Sequence, residues 1–257
     1  MSSLELLRLL ELALLGAGLG FAGGLFGIGG GIIAIPVLTL WFGVDQATAQ
    51  GTALVMMVPN LLIAWWRYVR HNPVPLWETV GVAATGTIAT WATAEVAHWL
   101  DQALLRGIFA LFLLVLAVRM TRNSPAQEVP ASAANRDRRL MPLVGLAGGA
   151  SMGLLGVGGG LVATPMFSRF FGLGQRVAQS LGLAVVAPSS VIALAAYARN
   201  DHVDWRLGLP LAVGGIFTVA AGVALAHRLP ERQLRCFFGI MVGATGLWLL
   251  LGRFVMG

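Results

Sequence analysis

Uncharged apolar stretches alternate with short arginine-bearing breaks along almost the whole chain. Runs free of Asp, Glu, Lys and Arg occupy residues 12–44, 46–66, 79–94, 107–118, 140–168, 177–198, 207–227 and 236–252. Most reach or approach the roughly 20 residues with which an α-helix crosses a bilayer core. The alternation of a transmembrane β-barrel is absent. The pattern therefore predicts an all-α fold, a polytopic integral membrane helical bundle.

The elements come in two matching sets. Gly24-Leu25-Phe26-Gly27-Ile28-Gly29-Gly30-Gly31-Ile32-Ile33-Ala34-Ile35-Pro36 returns, 129 residues later, as Gly153-Leu154-Leu155-Gly156-Val157-Gly158-Gly159-Gly160-Leu161-Val162-Ala163-Thr164-Pro165. The offset then holds without a gap through Gln50 and Gln179, Pro59 and Pro188, Tyr68 and Tyr197, His98 and His227, and Arg106 and Arg235. A duplicated unit explains so constant a register. The first transmembrane repeat is residues 1–120, a polar linker fills 121–139, and the second repeat is 140–257. Each repeat divides into five apolar segments: 5–25, 28–43, 46–69, 76–97 and 102–120, then 141–154, 157–172, 175–198, 205–226 and 231–252.

The first two segments of each repeat are joined by a Gly-x-Gly-Gly-Gly break. Gly disfavours a helix interior by roughly 1 kcal/mol and Pro by about 3 kcal/mol, so the glycines are expected to unwind the backbone. Peptide groups freed in this way cannot face lipid and must be buried in protein or line a wet cavity. Such breaks in corresponding positions of two repeats point to a transport site between them. Pro36, Pro59, Pro165 and Pro188 are expected to kink their helices, a feature that serves packing more often than binding.

Composition sharpens the class. The chain has 257 residues, 57% hydrophobic and 11% charged, against about 25% charged in a soluble domain. All seventeen basic residues are Arg. They cluster in short loops, as a topology signal does, with no basic face interleaved with aromatics, so a nucleic-acid partner is not expected. The N-terminus lacks the basic region of a secretory signal and reads as the start of the first helix. Cys236 stands alone in the sequence, which excludes an intrachain disulfide and a cysteine metal cluster. If the linker is cytoplasmic and each glycine-broken pair forms a hairpin, the repeats are inverted, with twelve Arg inside and five outside. Parallel repeats leave eleven against six. The positive-inside rule thus prefers inverted repeats with broken or re-entrant helices, by a small margin.

Candidate binding groups follow from the breaks. Where a helix restarts, its first N–H groups have no acceptor and sit at the positive end of the dipole, an anion site that needs no charged side chain. Gly29, Gly30, Gly31, Gly158, Gly159 and Gly160 are the candidates; close helix packing is the alternative use of such glycines. Gln50 and Gln179, with Thr52 and Ser180 nearby, could hydrogen-bond a polyatomic anion, or instead bond neighbouring helices. His98 and His227 invite a proton-relay reading, against which stands structural anchoring at the membrane interface. Asp204 is expected to cap the helix that begins at Trp205. No metal site and no cofactor are expected.

These residues resemble the sulfite exporter TauE/SafE family, also called the toluene sulfonate uptake permease family. The resemblance rests on the doubled GxGGG-x-x-x-x-P phrase, on Ala49-Gln50-Gly51-Thr52, and on Val203-Asp204-Trp205. It rests also on His98-Trp99-Leu100 through Arg106 and His227-Arg228-Leu229-Pro230 through Arg235. Ala53 stands where the family has Ser, and Asn72-Pro73-Val74-Pro75-Leu76 replaces its Gly-x-Val-Asp-Trp. The resemblance implies a small multi-pass permease of the bacterial plasma or inner membrane, moving sulfite, thiosulfate, an organosulfonate or a related anion. The partners expected are a small anionic substrate and the lipid bilayer, and a homodimer suits so small a carrier. A passive anion channel is the alternative, followed by an intramembrane enzyme or a non-transporting membrane partner. An enzyme would need convergent nucleophile, base or metal ligands, and four His with one Cys offer no such cluster.

Overall fold

The computed structural model describes residues 3–26, 29–71, 74–121, 137–226, 240 and 242–248, and all of its regular structure is helical. In the first repeat the helices are α1 (Ser3–Phe26), α2 (Gly31–Leu40), α3 (Gln46–His71), α4 (Leu76–Trp99) and α5 (Gln102–Thr121). After a 3-10 turn at Arg138–Leu140 come α6 (Met141–Leu155), α7 (Gly159–Phe171), α8 (Gln175–Arg199) and α9 (Trp205–Ala226). Residues 242–248 are helical as well and lie against Leu113 and Ala117 of α5.

The two sequence copies interleave. Helix α1 packs against α9 and α6 against α4, so the first helix of each copy meets the fourth of the other. Both seams are built from glycines four apart. A Cβ on Gly16, Gly20 or Gly24 would strike the backbone of Leu211, Gly215 or Val219. One on Gly145, Gly149 or Gly153 would strike that of Val82, Gly86 or Thr90. The paired positions advance together, so the helices of each seam run in the same direction. Lipid offers no hydrophobic drive for helix association, and such small residues let backbones approach closely enough for dispersion and interhelical hydrogen bonds to act. Those bonds are present: Thr90 Oγ1 donates to Gly149 O at 2.9 Å, Thr85 Oγ1 to Pro142 O at 2.9 Å, and Thr218 Oγ1 to Ala17 O at 2.6 Å.

Helices α3 and α8 form the centre. Of their apolar spans 72% and 67% lie buried, against 28% for α1, which leaves α1 to face lipid. The start of α3 meets the end of α8: Gln50 bonds Tyr197, and Thr52 lies against Asp204 just beyond α8. These two long, packed helices are therefore antiparallel. Among the described residues, four helices (α1, α3, α8 and α9) are long and apolar enough to cross a membrane. In contrast, α2 with 10 residues and α7 with 13 span only about 15 and 20 Å, short of the roughly 30 Å hydrocarbon core. Each folds back on the helix before it, Gly30 onto Leu19 and Gly159 onto Gly148.

An ion pair between an exposed arginine and a buried glutamate ties the linker end to the bundle. Arg138 Nη1 lies 2.9 Å from Glu78 Oε1, and the Glu78 side chain is 3% exposed. Asp204 Oδ1 accepts from Arg206 N at 2.9 Å and from Leu207 N at 3.3 Å, the N-cap expected at the head of α9.

Candidate functional site

The glycine phrases do interrupt the helices, over a shorter span than three glycines suggest. Gly29 (φ 70°) and Gly30 (φ 89°) are left-handed, and α2 has already begun at Gly31. In the second copy Gly156 (φ 66°) and Gly158 (φ 91°) are left-handed, and Gly159 and Gly160 lie in the first turn of α7. A residue with a Cβ rarely adopts these angles, which is why glycine recurs here. No side chain among the described residues caps α2 or α7. Their first-turn amides keep unsatisfied donors at the positive end of each dipole.

The two elbows meet. Val157 Cγ2 lies 3.2 Å from the position a Cβ on Gly31 would occupy, so the second break touches the start of α2. The side chain of Gln50 rests on Gly156, with its Cβ 3.0 Å from the corresponding point. Met56, Met57 and Leu61 of α3 cover Gly30, Gly31 and Gly29, while Phe112 and Val186 cover Gly158 and Gly160. Gly29–Gly31 and Gly156–Gly159 are all buried. The elbows are therefore adjacent and closed over by side chains.

Gln50 is fully buried. Its Oε1 accepts a hydrogen bond from the Tyr197 hydroxyl at 2.7 Å, while its Nε2 has no partner among the described residues. Tyr197 also lies 3.2 Å from Gly153 O, which links α3, α6 and α8 at one point. Thr52 serves a different contact, its Oγ1 accepting from Asp204 N at 2.9 Å. On α8, Gln179 is half-buried and Ser180 is buried. Pro36, Pro59, Pro165 and Pro188 all lie inside helices.

His98 faces a partner that sequence spacing does not reveal. Its Nδ1 lies 3.1 Å from His202 Nε2, across the two repeats, with ring centroids 5.2 Å apart. His227 lies outside the described residues. No group of three His, Cys, Asp or Glu able to hold a metal ion occurs among the described residues.

Sequence reasoning missed Tyr197 as the partner of Gln50, and it missed Asn60 and Ser189. The last two are fully buried polar side chains on the central helices, and Asn60 Nδ2 and Oδ1 and Ser189 Oγ are without partners among the described residues. The available signal was their position: each directly follows the repeated proline inside a charge-free run.

Comparison with known proteins fits this architecture. The family described as sulfite exporter TauE/SafE matches residues 12–249. A probable membrane transporter protein of Methanocaldococcus jannaschii is 26% identical over 96% of this chain and 97% of its own length. One from Xylella fastidiosa (strain Temecula1) is 29% identical over 90% of each chain. YdhB of Bacillus subtilis, also named a probable membrane transporter protein, is 24% identical over 95% of this chain and all of its own. No solved structure matches the chain. With a match that runs through both glycine elbows and both central helices, the chain belongs to the sulfite exporter TauE/SafE family and is a membrane transporter.

Proposed function

We propose that this transporter is a secondary carrier for a small sulfur-containing anion such as sulfite, thiosulfate or an organosulfonate. It works in the bacterial plasma or inner membrane by alternating access around the paired elbows. The observation that carries the reading is the meeting of the two glycine elbows, where α2 and α7 start without a side-chain cap. There the aliphatic part of buried Gln50, whose Nε2 has no partner among the described residues, rests on Gly156. Neutral donors and helix dipoles attract an oxyanion without a fixed positive charge that would hold it too tightly to release.

The repeats are inverted and the short helices α2 and α7 are re-entrant. Support comes from the antiparallel run of α3 and α8, which occupy the same place in the two sequence copies. Two copies of one helix that run oppositely are related by an axis in the membrane plane, the arrangement in which rocking of one repeat against the other exchanges access. Because Met56, Met57, Phe112 and Val186 cover the elbows, this conformation is the occluded one. The anion reaches Gly29–Gly31 and Gly158–Gly160, with Gln50 and Gln179 orienting it, when those side chains withdraw. A proton or the membrane potential supplies the energy.

Proteoliposomes test the reading. Saturable uptake of sulfite, thiosulfate or taurine, with counterflow against unlabelled substrate, is the expected result. Linear flux without counterflow identifies a passive anion channel, and no flux or binding with any of these anions removes the carrier.

A further inference from the structure

One face of α3 carries three amide side chains. Gln46, Gln50, Ala53, Met57 and Asn60 recur at intervals of four and three, which puts them in a single stripe, and each is at most 1% exposed. Five of the six amide heteroatoms in this stripe have no partner among the described residues: Gln46 Nε2 and Oε1, Gln50 Nε2, and Asn60 Nδ2 and Oδ1. The sixth, Gln50 Oε1, is held by Tyr197. Buried polar groups in folded proteins are nearly always bonded, and each exception calls for an explanation. A helix wanted only for packing would place Leu or Ala here.

Asn60 adds a second regularity. Its counterpart 129 residues later is Ser189, also fully buried and with its Oγ unpartnered among the described residues. Each of them faces a glycine from the fourth helix of the other copy. Asn60 Nδ2 lies 3.1 Å from the place of a Cβ on Gly215, and Ser189 Oγ lies 3.4 Å from that on Gly86. Gly86 and Gly215 are themselves one offset apart. The arrangement thus occurs twice: a polar side chain after a proline, opposite a missing side chain. The two sites are also central. From the Gln50–Tyr197 bond, nine residues forward along α3 and nine back along antiparallel α8 reach Pro59 and Pro188 together. Asn60 and Ser189 therefore flank the midpoint, about 14 Å of helix from that bond.

Resting on the carrier reading above, we propose that the Gln46–Gln50–Asn60 stripe is the polar wall of the translocation path and that Asn60 and Ser189 form its selecting waist. The amide and the hydroxyl offer neutral donors to an oxyanion at the point where the two repeats cross. Their unequal reach, Asn against Ser, gives an otherwise two-fold site a preferred orientation for an anion with one distinct end. Intramembrane polar groups in the bundle interior characteristically mark substrate pathways.

The test uses full-length protein in proteoliposomes with labelled sulfite, thiosulfate and taurine. Asn60→Leu is expected to lower uptake at least tenfold while leaving the thermal midpoint unchanged or higher, because it replaces an unpartnered amide with an apolar group of similar size. Asn60→Ser, matching Ser189, should retain uptake and change the ratio of taurine to sulfite transport. A lower midpoint with lost uptake marks Asn60 as a packing residue and overturns the proposal. Wild-type flux in Asn60→Leu overturns it too, while the carrier reading stands; absence of saturable flux in the unmutated protein removes both. Should Asn60→Leu fail to insert, Asn60→Cys in a Cys236→Ser background decides the matter. Labelling by 2-sulfonatoethyl methanethiosulfonate, slowed by substrate, is expected, and a cysteine that stays unlabelled during turnover refutes the path.

Discussion

The Tyr197 hydroxyl donates to Gln50 Oε1 at 2.7 Å, a bond between residues 147 positions apart that fastens the end of α8 to the start of α3. Both partners are buried, and the same hydroxyl lies within 3.2 Å of Gly153 O. Removal of the phenol oxygen leaves the buried Gln50 Oε1 unsatisfied. An unpaired buried acceptor costs about 1–3 kcal/mol, so Tyr197→Phe should lower the thermal midpoint of the purified protein measurably. A Gln50→Leu partner in a double-mutant cycle should recover part of that loss, since it removes the stranded oxygen. Additive effects of the two substitutions would show that the bond contributes nothing.

The glycine seams make a sharper contrast. A Cβ on Gly149 would overlap the backbone of Gly86, whereas one on Gly18 meets nothing within 4 Å among the described residues. Both glycines lie in helix interiors. Gly149→Leu should abolish accumulation of folded protein, judged by monodisperse elution in detergent. Gly18→Ala should be neutral or slightly stabilising, by up to about 1 kcal/mol from helix propensity alone. Equal behaviour of the two would deny the close approach of α4 and α6.

At the elbows, most glycines are unsuitable for testing function because their left-handed backbone or crowded surroundings forbid a side chain. Gly160 is the exception: it is half-buried, and among the described residues an added Cβ meets only Val186, at 3.5 Å. Gly160→Ala should fold and keep most uptake. Gly160→Leu should fold, yet lose uptake by an order of magnitude or more by covering the α7 amides. Unchanged flux in Gly160→Leu would take the second elbow out of the transport cycle.

Asp204 caps α9 through two amides while its own amide donates to Thr52. Loss of an N-cap side chain costs about 0.5–2 kcal/mol. Asp204→Ala should therefore reduce thermal stability by that amount and leave substrate affinity alone. A selective loss of affinity at wild-type stability would move Asp204 from structure to binding.

Much of this architecture is legible from residue order. Charge-free run lengths reveal membrane helices, the constant offset reveals duplication, and clustered glycines before a proline reveal where a helix must break. These are local properties, set by hydration and backbone freedom within one turn or one span. Even there the extent shifted, since Gly31, Gly159 and Gly160 join the following helix once its hydrogen-bond ladder can start. Which helix lies beside which is a different kind of fact. The seams of α1 with α9 and α4 with α6, the turn of Thr52 toward Asp204, the meeting of His98 with His202 and the unpartnered state of Asn60 all depend on contacts between distant segments. A side chain's periodicity says which face it occupies, and only packing decides what that face meets. Gly16, Gly20 and Gly24 could have served any neighbour, and the bundle chose one by the fit of two backbones.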